Sequence, residues 1–150
     1  MRFVIQVCSN ASVSVENEII GKIDSGATVF IGVGNGDTTQ IADKMIKKLL
    51  AMRIYPDRDG KTNLSIRDVG GSLLLISQFT LYADCRKGNR PSFINAAGGD
   101  EAQQLYNYII DKCISEGINT QMGKFGADMK VNVTNEGPFT IVLDSNDICK

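Results

Sequence analysis

Two short strings hold hydrogen-bonding groups in places where a ligand could be bound. Ser77-Gln78-Phe79-Thr80 ends an apolar run, and Asn135-Glu136-Gly137-Pro138-Phe139-Thr140 lies between two alternating segments. Each has an ordinary explanation on its own: a strand leaving the core, and glycine-proline turn chemistry. The functional reading of the first is a pocket floor whose backbone N–H groups are free for a ligand. With period 2, Gln78 and Thr80 share one face of such a strand, and Ser77 and Phe79 the other.

The chain contains no histidine. That removes Ser-His-Asp and Cys-His catalysis and any imidazole base. A hydrolase built from these residues must attack a substrate that is already labile, or take its base from elsewhere. Cys8, Cys85, Cys113 and Cys149 stand apart, with no C-x-x-C pair and no evident activating partner. They read as buried or incidental thiols rather than nucleophiles. No metal and no cofactor is expected, since zinc spacings are absent. Gly32-Val33-Gly34-Asn35-Gly36 brings its third glycine one residue too early for G-x-G-x-x-G. A tight strand-to-helix connection is the default there, and a dinucleotide site the alternative.

The elements that must position these groups follow from periodicity. Residues 3–7 and 12–15 alternate as extended segments, 16–18 is a turn, and 19–23 is the return strand. A buried strand spans 27–33. Residues 38–52 switch to helical period, with Ile41, Met45, Leu49 and Met52 in one stripe and Asp37 with Gln40 as the N-terminal cap. After a turn at 57–60, a strongly apolar strand runs from 72 to 81. A loop over 84–99 carries Arg86, Lys87, Arg90 and Pro91. A second helix spans about 101–116 on a stripe of Ala102, Leu105, Ile109 and Cys113, with Asp100 as cap and Gly117 as stop. Two strands, 129–134 and 139–143, are joined by 135–138. The class is mixed α/β: strand hairpins plus two amphipathic helices, each covering a face of a sheet. The first helix is followed by turns rather than a parallel strand, which argues against a doubly wound fold.

At 150 residues, with 43% hydrophobic and 22% charged, the chain reads as one domain over 1–145 with a frayed tail at 146–150. Unpaired cysteines, no leader and no membrane-length apolar run point to the cytoplasm. A net charge of −1 is not that of a protein gripping many phosphates, so any RNA contact must be few and local. Arg86, Lys87 and Arg90 are the candidates for it, with a solvated loop as the alternative.

Taken together, the two strings resemble the signature motifs of the D-aminoacyl-tRNA deacylase family. The resemblance runs nearly end to end. It includes Met1-Arg2-x-x-Ile5-Gln6, Ala11-Ser12-Val13, Asp68-Val69-Gly70-Gly71 and Leu81-Tyr82-Ala83-Asp84. It continues through Lys87-Gly88-x-Arg90-Pro91-Ser92-Phe93, Phe125-Gly126-Ala127-Asp128-Met129 and Leu143-Asp144-Ser145. One departure stands out: the family usually has arginine directly after Ile5-Gln6, helping to hold the glycine-proline motif, where this chain has Val7 and then Cys8.

The resemblance implies barrel-like, mostly antiparallel sheets flanked by two helices, and a homodimer with its active site at the subunit interface. It implies hydrolysis of the ester of D-aminoacyl-tRNA, and of mischarged glycyl-tRNA, as chiral proofreading. Ser77, Gln78, Phe79 and Thr80 are then catalytic, and Gly137, Pro138, Phe125, Ala127 and Met129 bind substrate. A cis Gly137-Pro138 turn, inserted into the neighbouring subunit's pocket, excludes the L side chain. The alternative is a non-catalytic nucleic-acid-binding module on the same fold.

Overall fold

The computed structural model describes residues 1–149. Its main sheet has the order β2-β1-β3-β6-β7, with β8 paired to the free side of β1. The strands are β1 (Arg2–Val15), β2 (Glu18–Ile23), β3 (Gly26–Gly32), β6 (Ser72–Ser77), β7 (Thr120–Met122) and β8 (Lys130–Asp144). A small hairpin of β4 (Tyr55–Pro56) and β5 (Thr62–Leu64) stands apart. Among the described residues three α-helices accompany the sheets: α1 (Thr39–Ala51), α2 (Gly99–Ser115) and α3 (Ser145–Ile148).

The segments 3–7 and 12–15 form one strand, long enough to pair with β3 through its first half and β2 through its second. Its register against β8 shifts on either side of Cys8, and the buried face changes with it. Phe3 and Ile5 pack under the helices, whereas Ala11 and Val13 join a second cluster with Leu74 and Ile76. β6 serves both clusters, Leu73 and Leu75 on one face and Leu74 and Ile76 on the other. A strand buried on both faces reads as an unbroken apolar run. The helical stripes are buried as their spacing requires: Met45 and Leu49 on α1, and Ala102, Leu105, Ile109 and Cys113 on α2.

Several local expectations give way. β3 and β6 are parallel, as are β6 and β7; α1 with the β4-β5 hairpin makes the first crossover and α2 the second. Thr38, not Asp37, caps α1, because the Asp37 carboxylate is taken by the Gly34 N–H and the Met1 ammonium, each at 2.7 Å. Gly98, not Asp100, precedes α2; Asp100 lies in the first turn, where the helix dipole favours a negative charge. The 129–134 and 139–143 segments do not pair with each other. Both pair with β1 as halves of β8. The segment expected as a tail begins within α3, which is capped by Asp144 and tied by Ser145, the latter accepting the Met1 ammonium at 2.7 Å. Lys150, the last residue of that expected tail, lies outside the described residues. Among the described residues no helix is long and apolar enough to cross a membrane.

Candidate functional site

The carboxyl ends of three mutually parallel strands, β3, β6 and β7, come together on one side of the sheet. A crevice beyond such strand ends is where open α/β sheets hold ligands. A cavity of about 530 Å³ occupies it, with Ser77, Gln78 and Phe79 on its wall at the end of β6 and just beyond, and Phe125, Ala127 and Met129 after β7. Six of the residues singled out in the sequence therefore meet here. Gly126 turns the chain between Phe125 and Ala127 with φ 75°, a conformation that suits glycine.

β6 does not run on to Leu81. It stops at Ser77, and Phe79–Tyr82 form a short 3-10 helix. The expected division of Gln78 and Thr80 from Ser77 and Phe79 by strand period therefore does not hold. The turn is held from outside. Gln78 N–H donates to the Ile31 carbonyl at 2.7 Å. Arg2 donates through Nη1 to the Leu81 carbonyl at 2.8 Å, pairs with Asp144 at 2.8 Å, and lies 4.7 Å from the centre of the Tyr82 ring. That ring presses on Gly34, where an added Cβ would lie 2.5 Å from it.

A 3-10 helix leaves its first N–H groups without intrahelical partners. Among the described residues, those of Phe79 and Thr80 donate to no protein acceptor. The Thr80 side chain is exposed and outside the cavity wall. Its hydroxyl oxygen accepts from the Gln78 amide, which is no base.

Of the cavity-lining side chains, only Tyr106 belongs to a normally ionisable type. Burial pushes its phenol up to about 12, opposed by backbone hydrogen bonding, and its hydroxyl donates to the Leu75 carbonyl at 2.7 Å. Neither state offers a base near neutral pH. The arrangement therefore offers unpaired backbone N–H groups beside the cavity, and shape, rather than a side-chain base. Among the described residues no group of three Cys, Asp or Glu could hold a metal ion.

Gly137 and Pro138 do not line this cavity. The chain leaves the β1 ladder after Asn135 and rejoins it at Thr140, opposite Cys8 and Gln6. The excursion between them is exposed at Gly137 and Pro138, and their peptide bond is cis. Val7, where the resemblance implies an arginine, is a core side chain. Arg86, Lys87 and Arg90 lie on a hairpin closed by paired Asp84–Ser92 backbone bonds. Arg86 is bound to Asp84 at 2.6 and 2.9 Å; hydrogen bonds from Arg86 hold the Asp84 carboxyl down at about 2.

Sequence reasoning missed Phe93 and Tyr106 as cavity walls. Their only local signals were an aromatic after a basic loop and a second apolar residue beside the α2 stripe.

The family model described as D-Tyr-tRNA(Tyr) deacylase matches residues 4–144. A D-aminoacyl-tRNA deacylase of Clostridium perfringens is 50% identical over 145 residues, covering 97% of each chain. One of Thermosipho melanesiensis is 46% identical over 149 residues, covering 99% of each. Among solved structures, a c-Myc DNA unwinding element binding protein is 35% identical with TM-score 0.90, covering 96% of this chain and 98% of its own. A probable eukaryotic D-amino acid tRNA deacylase, 16% identical with TM-score 0.82 over 95% and 97%, shares the fold.

Proposed function

The chain belongs to the D-Tyr-tRNA(Tyr) deacylase family and is a D-aminoacyl-tRNA deacylase; on that premise we propose that it acts as a homodimer whose Gly137-Pro138 excursion completes the partner's cavity. The observation that carries this is the separation within one protomer: Ser77, Gln78 and Phe79 line the cavity, while Gly137 and Pro138 are exposed and absent from its wall. In this reading the ester carbonyl sits at the unpaired N–H groups of Phe79 and Thr80. Each such donor to a developing oxyanion is worth about 2.7–4 kcal/mol in a comparable hydrolase.

An aminoacyl ester is activated and carries a ribose hydroxyl beside it, so a site without a base suffices. Phe125, Ala127 and Met129 then bound the substrate. The excursion occupies the space of an L side chain, and backbone suits that task because it cannot rotate away as a side chain can. Glycyl-tRNA has no side chain to exclude and is hydrolysed, while L-alanyl-tRNA is spared. Lys87 and Arg90, with Arg86 less available, meet the tRNA, and the protein works in the cytoplasm.

A monomeric variant that keeps its fold loses activity; a fully active monomer contradicts the dimeric site. The second reading, a nucleic-acid-binding module without turnover, draws on the likeness to the 35% identical c-Myc DNA unwinding element binding protein. Multiple turnovers of D-tyrosyl-tRNA by the pure protein decide against it, and tight binding without turnover decides for it.

A further inference from the structure

Outside the cavity, the same segments make a second surface. Phe79 is 57% exposed although it also lines the cavity, and Ile94 is 76% exposed. The Phe79 ring meets Phe93 edge-to-face with centroids 5.0 Å apart. Large apolar groups standing in water on a floppy loop would be unremarkable, but this segment is fastened. Asn35 donates from its amide to the Ile94 carbonyl at 2.8 Å and from its backbone to the Asn95 carbonyl at 3.1 Å. Ala97 N–H adds a bond to the Val33 carbonyl at 3.0 Å. The Gly32–Gly36 connection, left without a role when the dinucleotide reading is set aside, is what holds Ile94 in place.

Beside this ledge stands the 84–92 hairpin, which ends one residue before Phe93. Its Arg86 charge is absorbed by Asp84. Lys87 and Arg90 are exposed and meet no carboxylate among the described residues. Aromatic and apolar faces flanked by free cations are the surface that single-stranded nucleic acid uses, bases on the faces and phosphates on the cations. A twofold contact centred on the ledge would instead set these like charges against their own copies.

We propose that the ledge of Phe79, Phe93 and Ile94 stacks the unpaired bases just 5′ of the terminal adenosine, with Lys87 and Arg90 on their phosphates. This rests on the reading of aminoacyl-tRNA as substrate, since the ester in the cavity places the preceding nucleotides at its mouth.

The test compares two substrates and two proteins, native and Ile94→Ser. D-tyrosyl-tRNA carries the preceding bases, and 2′(3′)-O-D-tyrosyl-adenosine lacks them. Ile94→Ser is expected to raise KM for the tRNA by about tenfold, the scale of the apolar area an isoleucine side chain would lose against a base, with kcat held. Its kcat/KM on the adenosine ester is expected to match native. Equal parameters on both substrates overturn the ledge. A parallel loss on both, or a shift in sedimentation of the variant, also overturns it by making the ledge a contact between copies. Binding of uncharged tRNA, weaker in Ile94→Ser if the ledge stacks bases, reads the proposal even if neither protein turns over ester. Absence of turnover by native protein would then count against the proposed function alone.

Discussion

The side-chain oxygen of Asn135 accepts the Phe139 N–H at 3.0 Å, closing the chain around Gly137 and Pro138 into a ring. The same side chain donates to the Thr140 hydroxyl at 2.9 Å, which also accepts from Gln6 at 3.4 Å. These bonds brace the excursion from within β8, while Val7 is committed to the core. Asn135→Ala should leave the fold intact, each lost bond being worth about 1 kcal/mol. It should lower the ratio of D- to L-tyrosyl-tRNA hydrolysis roughly tenfold, the rate equivalent of about 1.4 kcal/mol. An unchanged ratio would mean that the excursion holds its shape without Asn135.

Thr80 is the most tempting nucleophile, and its surroundings argue against that role. Its hydroxyl oxygen meets an amide donor, and a threonine attacks only when a base takes its proton. The tRNA's own terminal 2′-hydroxyl is closer to the ester than any side chain needs to be. Thr80→Ala should therefore retain substantial turnover, and native protein should lose it on tRNA ending in 2′-deoxyadenosine. A trapped acyl-threonine, with activity kept on the deoxy substrate, would reverse the assignment.

Of the hairpin cations, Arg86 spends its charge on Asp84, whereas Lys87 and Arg90 do not. Lys87→Ala and Arg90→Ala should each reduce the slope of log Kd against log salt for tRNA by about 0.7–1. Arg86→Ala should reduce it less. Three equal reductions would show that the Asp84 pair opens on binding, and no reduction at all would leave the hairpin solvated and idle.

How much of this could be read in advance depends on how local its cause is. The stripe Ala102, Leu105, Ile109, Cys113 was legible because one helix face decides it. The end of β6 was not. Phe79-Thr80-Leu81 has strand-forming residues, and the turn is held by partners distant in sequence, Ile31 on the Gln78 N–H and Arg2 on the Leu81 carbonyl. Asp37 matched a capping pattern until the Met1 ammonium claimed its carboxylate. Gly137-Pro138 looked like a hairpin turn because alternation flanks it, but spacing cannot say that both flanks pair with β1. The cavity itself was legible in parts: the strings at 77–79 and 125–129 were seen, while Phe93 and Tyr106 come from packing between segments.

Burial raises the Cys113 thiol from 9.0 to about 12, helped by the Glu116 charge and opposed by Arg67. A raised pKa means that the folded state keeps a proton that the unfolded state has released. The thiol's contribution is complete below about pH 9 and is withdrawn as pH rises towards 12. Urea midpoints at about pH 8 and about pH 10.5 should differ more for native protein than for Cys113→Ala. Equal differences would place the alkaline loss elsewhere, with Tyr106 the next group to examine.

The central claim is that this cavity hydrolyses one enantiomer of an ester and turns away the other without any side-chain base. Initial rates on D-tyrosyl-tRNA and L-tyrosyl-tRNA, measured side by side with pure native protein at matched concentrations, test it directly. Repeated turnover of the D ester is expected, with a rate on the L ester indistinguishable from spontaneous hydrolysis. Comparable enzymatic rates on both would contradict it.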